Sequence, residues 1–330
     1  MCAVEVLNRL PSATVYIEGE VSLRGSTGVQ ILIDGKPSIL ADDQSNALGS
    51  ITADMIEKVE VITNPSAKYD AEGTSGILNI VLKKEEKKGL NGSLSLNTGV
   101  PDNHSLGISL NRRTEKFNLF TQLGAGYRSL PRESENINRN LIDGTRIENE
   151  GIAYRNEAFY NIILGADYFL NQNNVITLSG NFAYEVEDQP SETNFRLFDG
   201  SDALVSRWSR NEVTDATNPK WSYELQYKKD FKNHKEHDLI FSALGRFFGK
   251  DQSSVFDNTF FEGVDNLPDQ ETRTNFSQAD YTFKMDYTNP ITDKVSIETG
   301  AQYVINNVGN DFAVFDLIND RLVLDENLTN

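Results

Sequence analysis

Three histidines and one cysteine are the residues in this chain best suited to catalysis or metal binding. Cys2 stands alone, so no disulfide forms within the sequence, and no apolar segment precedes it to mark lipidation. His104, His234 and His237 fall at expected turns or strand starts, at opposite ends of the strands they adjoin. No Cys/His spacing matches a metal site, and no nucleophile elbow presents a serine. The chain therefore reads as a non-enzyme with no cofactor. With 49 acidic against 31 basic residues, its formal net charge of −18 repels nucleic acid. Asp34-Gly35 forms a turn pair at the end of an apolar strand.

These groups need elements to hold them, and the chain has two textures. Residues 1–84 read as a compact α/β domain. Val6, Leu7 and Leu10 have helical spacing up to Pro11. Short strands are expected at Val15–Ile17 and Val21–Leu23, joined by Glu18-Gly19-Glu20, and at Val29–Ile33. Thr52 is placed to cap a helical turn containing Asp54 and Glu57. Val59–Ile62 reads as a strand closed by Asn64-Pro65, and Ile77–Leu82 as a buried one. Residues 85–89, within the run that begins at Lys83, read as a linker.

From residue 90 onward the pattern has period two. Leu90, Leu94 and Leu96 alternate with polar residues, as do Leu106, Ile108 and Leu110. A longer stripe runs through Tyr160, Ile162, Leu164, Ala166 and Tyr168. About nine such segments follow one another, many with tyrosine near the ends of the apolar stripe. Short polar turns (113–116, 171–174, 230–236, 289–293) alternate with long stretches expected as loops (129–151, 187–218, 251–274). Mean hydropathy is −0.45, which would suit a soluble chain. Membrane barrels, however, average to neutral because their strands alternate. Loop asymmetry, strand length and aromatic ends together point to a transmembrane β-barrel in an outer membrane. Bacterial single-chain barrels have even strand numbers. About nine strands ending in a polar loop near Leu328 leave two open edges. The sequence is thus expected to be part of a longer reading frame, and to aggregate if expressed alone.

The stretch Ile56–Lys84, IEKVEVITNPSAKYDAEGTSGILNIVLKK, resembles the end of the plug domain of TonB-dependent outer-membrane receptors. Ser22–Ser26 looks like that family's apolar-Arg-Gly strand end, and Val29–Pro37 like its second plug strand and turn. The segment Asp286–Tyr303 is similar to a barrel hairpin of the Bacteroidetes-type group. The sequence departs from the family's usual Gly-Pro at Asn64-Pro65 and from Tyr-Gly at Tyr69-Asp70; Asn and Asp tolerate the turn conformations needed there.

The resemblance implies a small α/β plug and an antiparallel barrel of about 22 strands, of which about nine are present here. It implies a receptor that takes up a scarce bulky nutrient with energy from the TonB complex, whose N-terminal box is missing from this sequence. The plug would be reached from the periplasm, and outer-membrane lipid and lipopolysaccharide would surround the barrel. Arg24 would dock the plug against carboxylates on the barrel's inner wall. Asp34, Gly35 and Lys36 would form an apex loop near the transported ligand. Asn64, Pro65, Tyr69, Asp70, Gly73 and Gly76 would shape the plug's corner. Glu133, Glu135, Glu148 and Glu150 read as a solvated acidic face beside lipopolysaccharide. The competing function is a plugged barrel used for adhesion, signalling or assembly.

Overall fold

The computed structural model describes residues 13–15, 21–23, 25, 29–33, 36–37, 56–62, 76–82, 89–231, 237–263, 267–292, 295–319 and 321–329. Near the N-terminus, β1 (Ala13–Val15) and β2 (Val21–Leu23) form an antiparallel hairpin. A four-stranded sheet follows, built from β3 (Val29–Ile33), β4 (Lys36–Pro37), β5 (Ile56–Ile62) and β6 (Gly76–Leu82), in the order β4-β3-β6-β5. β3 runs parallel to β6; the other pairs are antiparallel.

The sequence of β6, GILNIVL, explains its central place. Ile77, Leu78 and Ile80 are fully buried, so both faces of the strand are covered, as parallel pairing requires. Each such side chain contributes about 1.5–3 kcal/mol on burial. Leu23, Val29, Leu32 and Ile56 complete this apolar core. The polar intruder, Asn79, donates a hydrogen bond to Glu60 Oε2 at 2.8 Å. Lys58 and Asn79 together hold the Glu60 carboxyl below its ordinary range, Lys58 being the larger cause. Gly76 has φ +150°, and a Cβ there would lie 2.6 Å from the Leu23 side chain and 3.3 Å from the Ile62 carbonyl. Only glycine lets β2 close over the start of β6.

Glu57, expected in a helical turn, lies in β5 instead, because the strand starts three residues earlier than its apolar stretch. The expected helical residues 6–10 and 52–55 lie outside the described residues, as does Ile17.

The rest of the chain is one antiparallel meander. Its strands are β7 (Gly89–Gly99), β8 (Asn103–Arg113), β9 (Phe117–Arg139), β10 (Arg146–Asn171), β11 (Asn174–Phe198), β12 (Leu204–Asp230), β13 (Asp238–Glu262), β14 (Gln270–Thr292), β15 (Val295–Ile318) and β16 (Arg321–Leu324). They form a ten-stranded sheet in which every strand pairs with its neighbour in sequence. No helix among the described residues is long and apolar enough to cross a membrane.

Period two sorts the side chains of this sheet in the reverse of a soluble protein. One face is apolar and exposed: Leu94 is 72% exposed, Leu164 55% and Phe283 44%. The other face buries polar and charged groups, among them Glu157, Glu185, Asn218 and Lys220. An apolar face turned outward with a polar face inward is the pattern of a barrel wall in lipid. Along β10 the band from Tyr168 to Ala158 advances about 33 Å. At a tilt of roughly 40° that crosses about 25 Å of hydrocarbon. Tyr168 stacks on Phe117 at 4.8 Å at one margin, and Trp221 on Phe247 at 3.9 Å nearer the other.

The stretches 129–151, 187–218 and 251–274, expected as loops, are mostly strand. β9 and β10 remain paired up to Arg139 and Arg146, and β11 and β12 up to Phe198 and Leu204. Along β9 the regular apolar stripe stops near Tyr127, but the backbone ladder needs no apolar side chains to continue. The true turns are short. Asp199 closes one by accepting hydrogen bonds from the Ser201 hydroxyl (2.7 Å) and the Ser201 and Ala203 amides (2.8 and 2.9 Å). Asp143 does the same with Thr145 (2.7 and 2.9 Å). These bonds hold both carboxyls below their usual range, the Ser201 and Thr145 hydroxyls contributing most. The expected C-terminal loop contains a further short strand, β16, paired with β15.

Candidate functional site

The polar face of the sheet carries a belt of six charged side chains across β9–β12. Register builds it: Arg128 pairs with Glu157, Glu157 with Glu187, and Glu185 with Asn218. Arg128 donates from Nε and Nη2 to Glu157 Oε2 at 3.0 and 2.7 Å. Arg155 lies between two carboxylates, 3.4 Å from Glu157 and 2.9 Å from Glu187. Asn218 Nδ2 bridges Glu187 (2.7 Å) and Glu185 (3.3 Å), and Gln189 donates to Glu187 as well. Lys220 Nζ reaches both oxygens of Glu185 at 3.1 Å and lies 5.6 Å from the Phe248 ring centroid.

Three cations thus meet three carboxylates, and the belt is neutral. Glu157 has no solvent exposure. Buried charges persist only when paired and hydrogen-bonded, and here each carboxylate has several donors. Toward the short-turn end, Asp167 accepts from Asn118 (3.0 Å) and Thr177 (2.8 Å). Toward the long-strand end, Phe195, Trp208 and Phe260 stack across three strands at 4.9 and 5.7 Å. Arg210 lies beside that stack, 5.9 Å from the Phe195 ring and 3.0 Å from Asn258 Oδ1.

The wall is kept thin by glycine. Phe120 lies against Gly165, and Phe159 against Gly126, so closely that a Cβ at either glycine would collide with the ring. Flat aromatic rings leave the enclosed volume free. Each charge of the belt is held by a partner of opposite sign. No group of His, Cys, Asp and Glu among the described residues is arranged to hold a metal.

Of the residues the sequence singles out, Lys36 lies in β4, paired with Ile33, and Gly76 opens β6. Arg24, Asp34, Gly35, Asn64, Pro65, Tyr69, Asp70 and Gly73 lie outside the described residues. Gly25, directly after Arg24, has φ +83°, a left-handed conformation that suits glycine at a strand end. Of the four outer glutamates, Glu148 is ion-paired, 3.2 Å from Arg146 and 3.4 Å from Arg196. His104 meets Thr98 at 2.8 Å, and His237 stacks on Phe231 beside Tyr287. The belt was not foreseen. Its signal was present in the residues opposite each apolar stripe, but it needs the hairpin registers to assemble.

An apolar-cored N-terminal domain followed by a polar-lined meander defines a plugged outer-membrane β-barrel. Comparison with known proteins agrees. Residues 3–77 match the TonB-dependent Receptor Plug Domain, and residues 229–330 match the Outer membrane protein beta-barrel family. The chain thus joins a TonB-dependent receptor plug domain to outer-membrane β-barrel sequence, as a fragment of such a receptor does.

Among solved structures, the ferric yersiniabactin uptake receptor FyuA from Yersinia pestis superposes with a TM-score of 0.52 at 12% identity, covering 98% of this chain and 56% of that one. P. aeruginosa FpvA, bound to heterologous pyoverdines, gives 0.55 at 12% identity, with 98% and 51% covered. The FpvAI–pyocin S2 complex gives 0.53 at 13% identity, with 98% and 52% covered. At these identities the likeness is one of fold. The chain spans just over half the length of these receptors.

Proposed function

We propose that this chain is the plug and leading wall of a receptor that imports a scarce, bulky nutrient using energy delivered through the TonB complex. The supporting observation is the inner wall. It is polar, and the belt across β9–β12 pairs its charges with one another, so a hydrated cargo and a polar-surfaced plug could lie against that part of the wall without competing for them. FyuA is a ferric yersiniabactin uptake receptor and FpvA binds a pyoverdine–iron complex, which favours iron chelates here, with vitamins, peptides and glycans of similar bulk as other cargoes. Residues 1–84 would form the plug, 85–89 the connection, and 90–330 the start of the barrel. Arg24 would seat the plug against the wall, residues 34–36 would face the cargo, and residues 64–76 would shape the plug corner. Transport, and not catalysis, is the work of such a site.

The test compares strains expressing the complete receptor, the receptor with Arg24→Ala, or none, with energy coupling intact or deleted. Growth on limiting iron chelate, vitamin, peptide or glycan should require both receptor and coupling for one cargo class. Arg24→Ala should admit bulky antibiotics that the intact receptor excludes. Equal growth with and without coupling on every cargo would overturn the transport reading, and unchanged antibiotic entry would overturn the role of Arg24.

A further inference from the structure

The rim of the barrel is uneven. β7 and β8 turn back at residues 100–102, where His104 pairs with Tyr127 and Asn103 with Arg128. β9 continues to Arg139, paired with β10 throughout. Beyond Arg128, no described strand lies on its other side. Ser129 marks which way the peptide groups point, because its N–H reaches the Asp102 carbonyl at 2.7 Å on the β8 side. The ladder alternates, so Pro131, Glu133, Glu135, Ile137 and Arg139 turn their peptide groups the same way, away from β10. Pro131 has no N–H; the other residues offer donor and acceptor to the open side. Residues 131–139 are exposed on both faces, Ile137 to 61%.

On the outer face of this edge two glutamates lie between Pro131 and Ile137, with Arg139 at the far tip. Glu133 and Glu135 share the outer face with Glu150 of β10 and Glu192 of β11. Glu135 stands directly opposite Glu150, and Ile152 separates Glu133 from Glu192. All four glutamates are exposed, and among the described residues none forms an ion pair. Like charges opposed across a ladder are destabilising until a cation joins them. An open backbone edge is a template for another strand, and its side chains select which one.

We propose that the free edge of β9, from Pro131 to Arg139, is a docking surface for an extended basic strand of a partner protein at the cell surface. The partner strand adds to the sheet through its backbone, with Lys or Arg on alternate residues facing Glu133, Glu135 and Glu150. The proposal rests on the outward direction of the long strands and not on the transport reading.

The experiment uses the complete receptor in lipid nanodiscs and a fluorescent nonapeptide of alternating Lys and Thr. Its control is the same peptide methylated on alternate amide nitrogens, which keeps the charge and removes the pairing. The unmodified peptide should bind about tenfold more tightly or better, since several backbone bonds are at stake. Ile137→Pro removes an N–H that makes no bond to β10, and should weaken binding about threefold at unchanged heat-modifiability on gels. Glu133→Gln with Glu135→Gln should weaken binding further and flatten its salt dependence. Equal binding of the two peptides would reduce the edge to a simple charge patch and overturn the proposal. Absence of binding to the complete receptor would mean that its own chain covers the edge, and would overturn it as well. The peptide comparison needs no variant, so a misfolded Ile137→Pro protein does not shelter the idea.

Discussion

Glu157 is a carboxylate without solvent contact, within reach of Arg128 at 2.7 Å and Arg155 at 3.4 Å. Removing one member of such a group strands the others, which costs more than the pair itself contributes. Glu157→Gln should therefore destabilise the complete receptor in lipid by about 3–5 kcal/mol in urea unfolding. A combined Arg128→Met and Glu157→Met variant should lose less than the two single changes summed, because it removes the stranded charge along with its partner. Additive losses would show that the two side chains do not act as a pair. The belt residues are all ordinary polar members of period-two segments, so the sequence offered their type and face. It did not offer their neighbours: Arg155 lies between Glu157 and Glu187 only because β10 and β11 pair in one particular register.

At the scale of the strand, the inner wall depends on glycines facing rings. Phe120 occupies the space above Gly165. Gly165→Leu should drive that ring off the wall and cost about 1–3 kcal/mol, and adding Phe120→Ala should restore part of it. A single substitution that leaves the unfolding midpoint unchanged would mean the ring moves freely. Strand identity was largely legible here. Val21–Leu23 and Val29–Ile33 have the bounds their apolar residues suggest. The apolar stripe of β10 lies wholly within the strand. Strand length was not legible. The extension of β12 to Leu204 passes through Thr217, Asp215 and Asn211, residues typical of loops. Their strand geometry comes from backbone bonds to β11 and β13, and a one-dimensional pattern of hydrophobicity carries no trace of those partners.

At the scale of the molecule, the distribution of polarity sets the orientation. The short turns at 114–116 and 172–173 lie at one end of the sheet, and the extended hairpins ending at 140–145 and 199–203 lie at the other. In outer-membrane barrels the long ends face the exterior. In intact cells carrying the complete receptor with Cys2→Ser, a membrane-impermeant maleimide should label Ser201→Cys. It should miss Gln172→Cys until the cells are lysed. Labelling of both in intact cells, or of Gln172→Cys alone, would reverse or abolish the assigned orientation.

The sequence by itself determined the class of this protein. Period-two apolar stripes of membrane-crossing length, tyrosines at their ends and short polar turns can be satisfied only by a sheet with lipid on one side. The apolar run of β6 and the motifs around it marked the N-terminal domain, since a strand buried on both faces must be apolar almost throughout. Only the tertiary structure decided the neutral belt, the flattened rings against glycine, the height of the ribbons above the lipid and the open edge of β9. Each of these depends on which residues of different strands stand opposite one another. Register is a property of paired backbones, and a single chain read from end to end does not contain it.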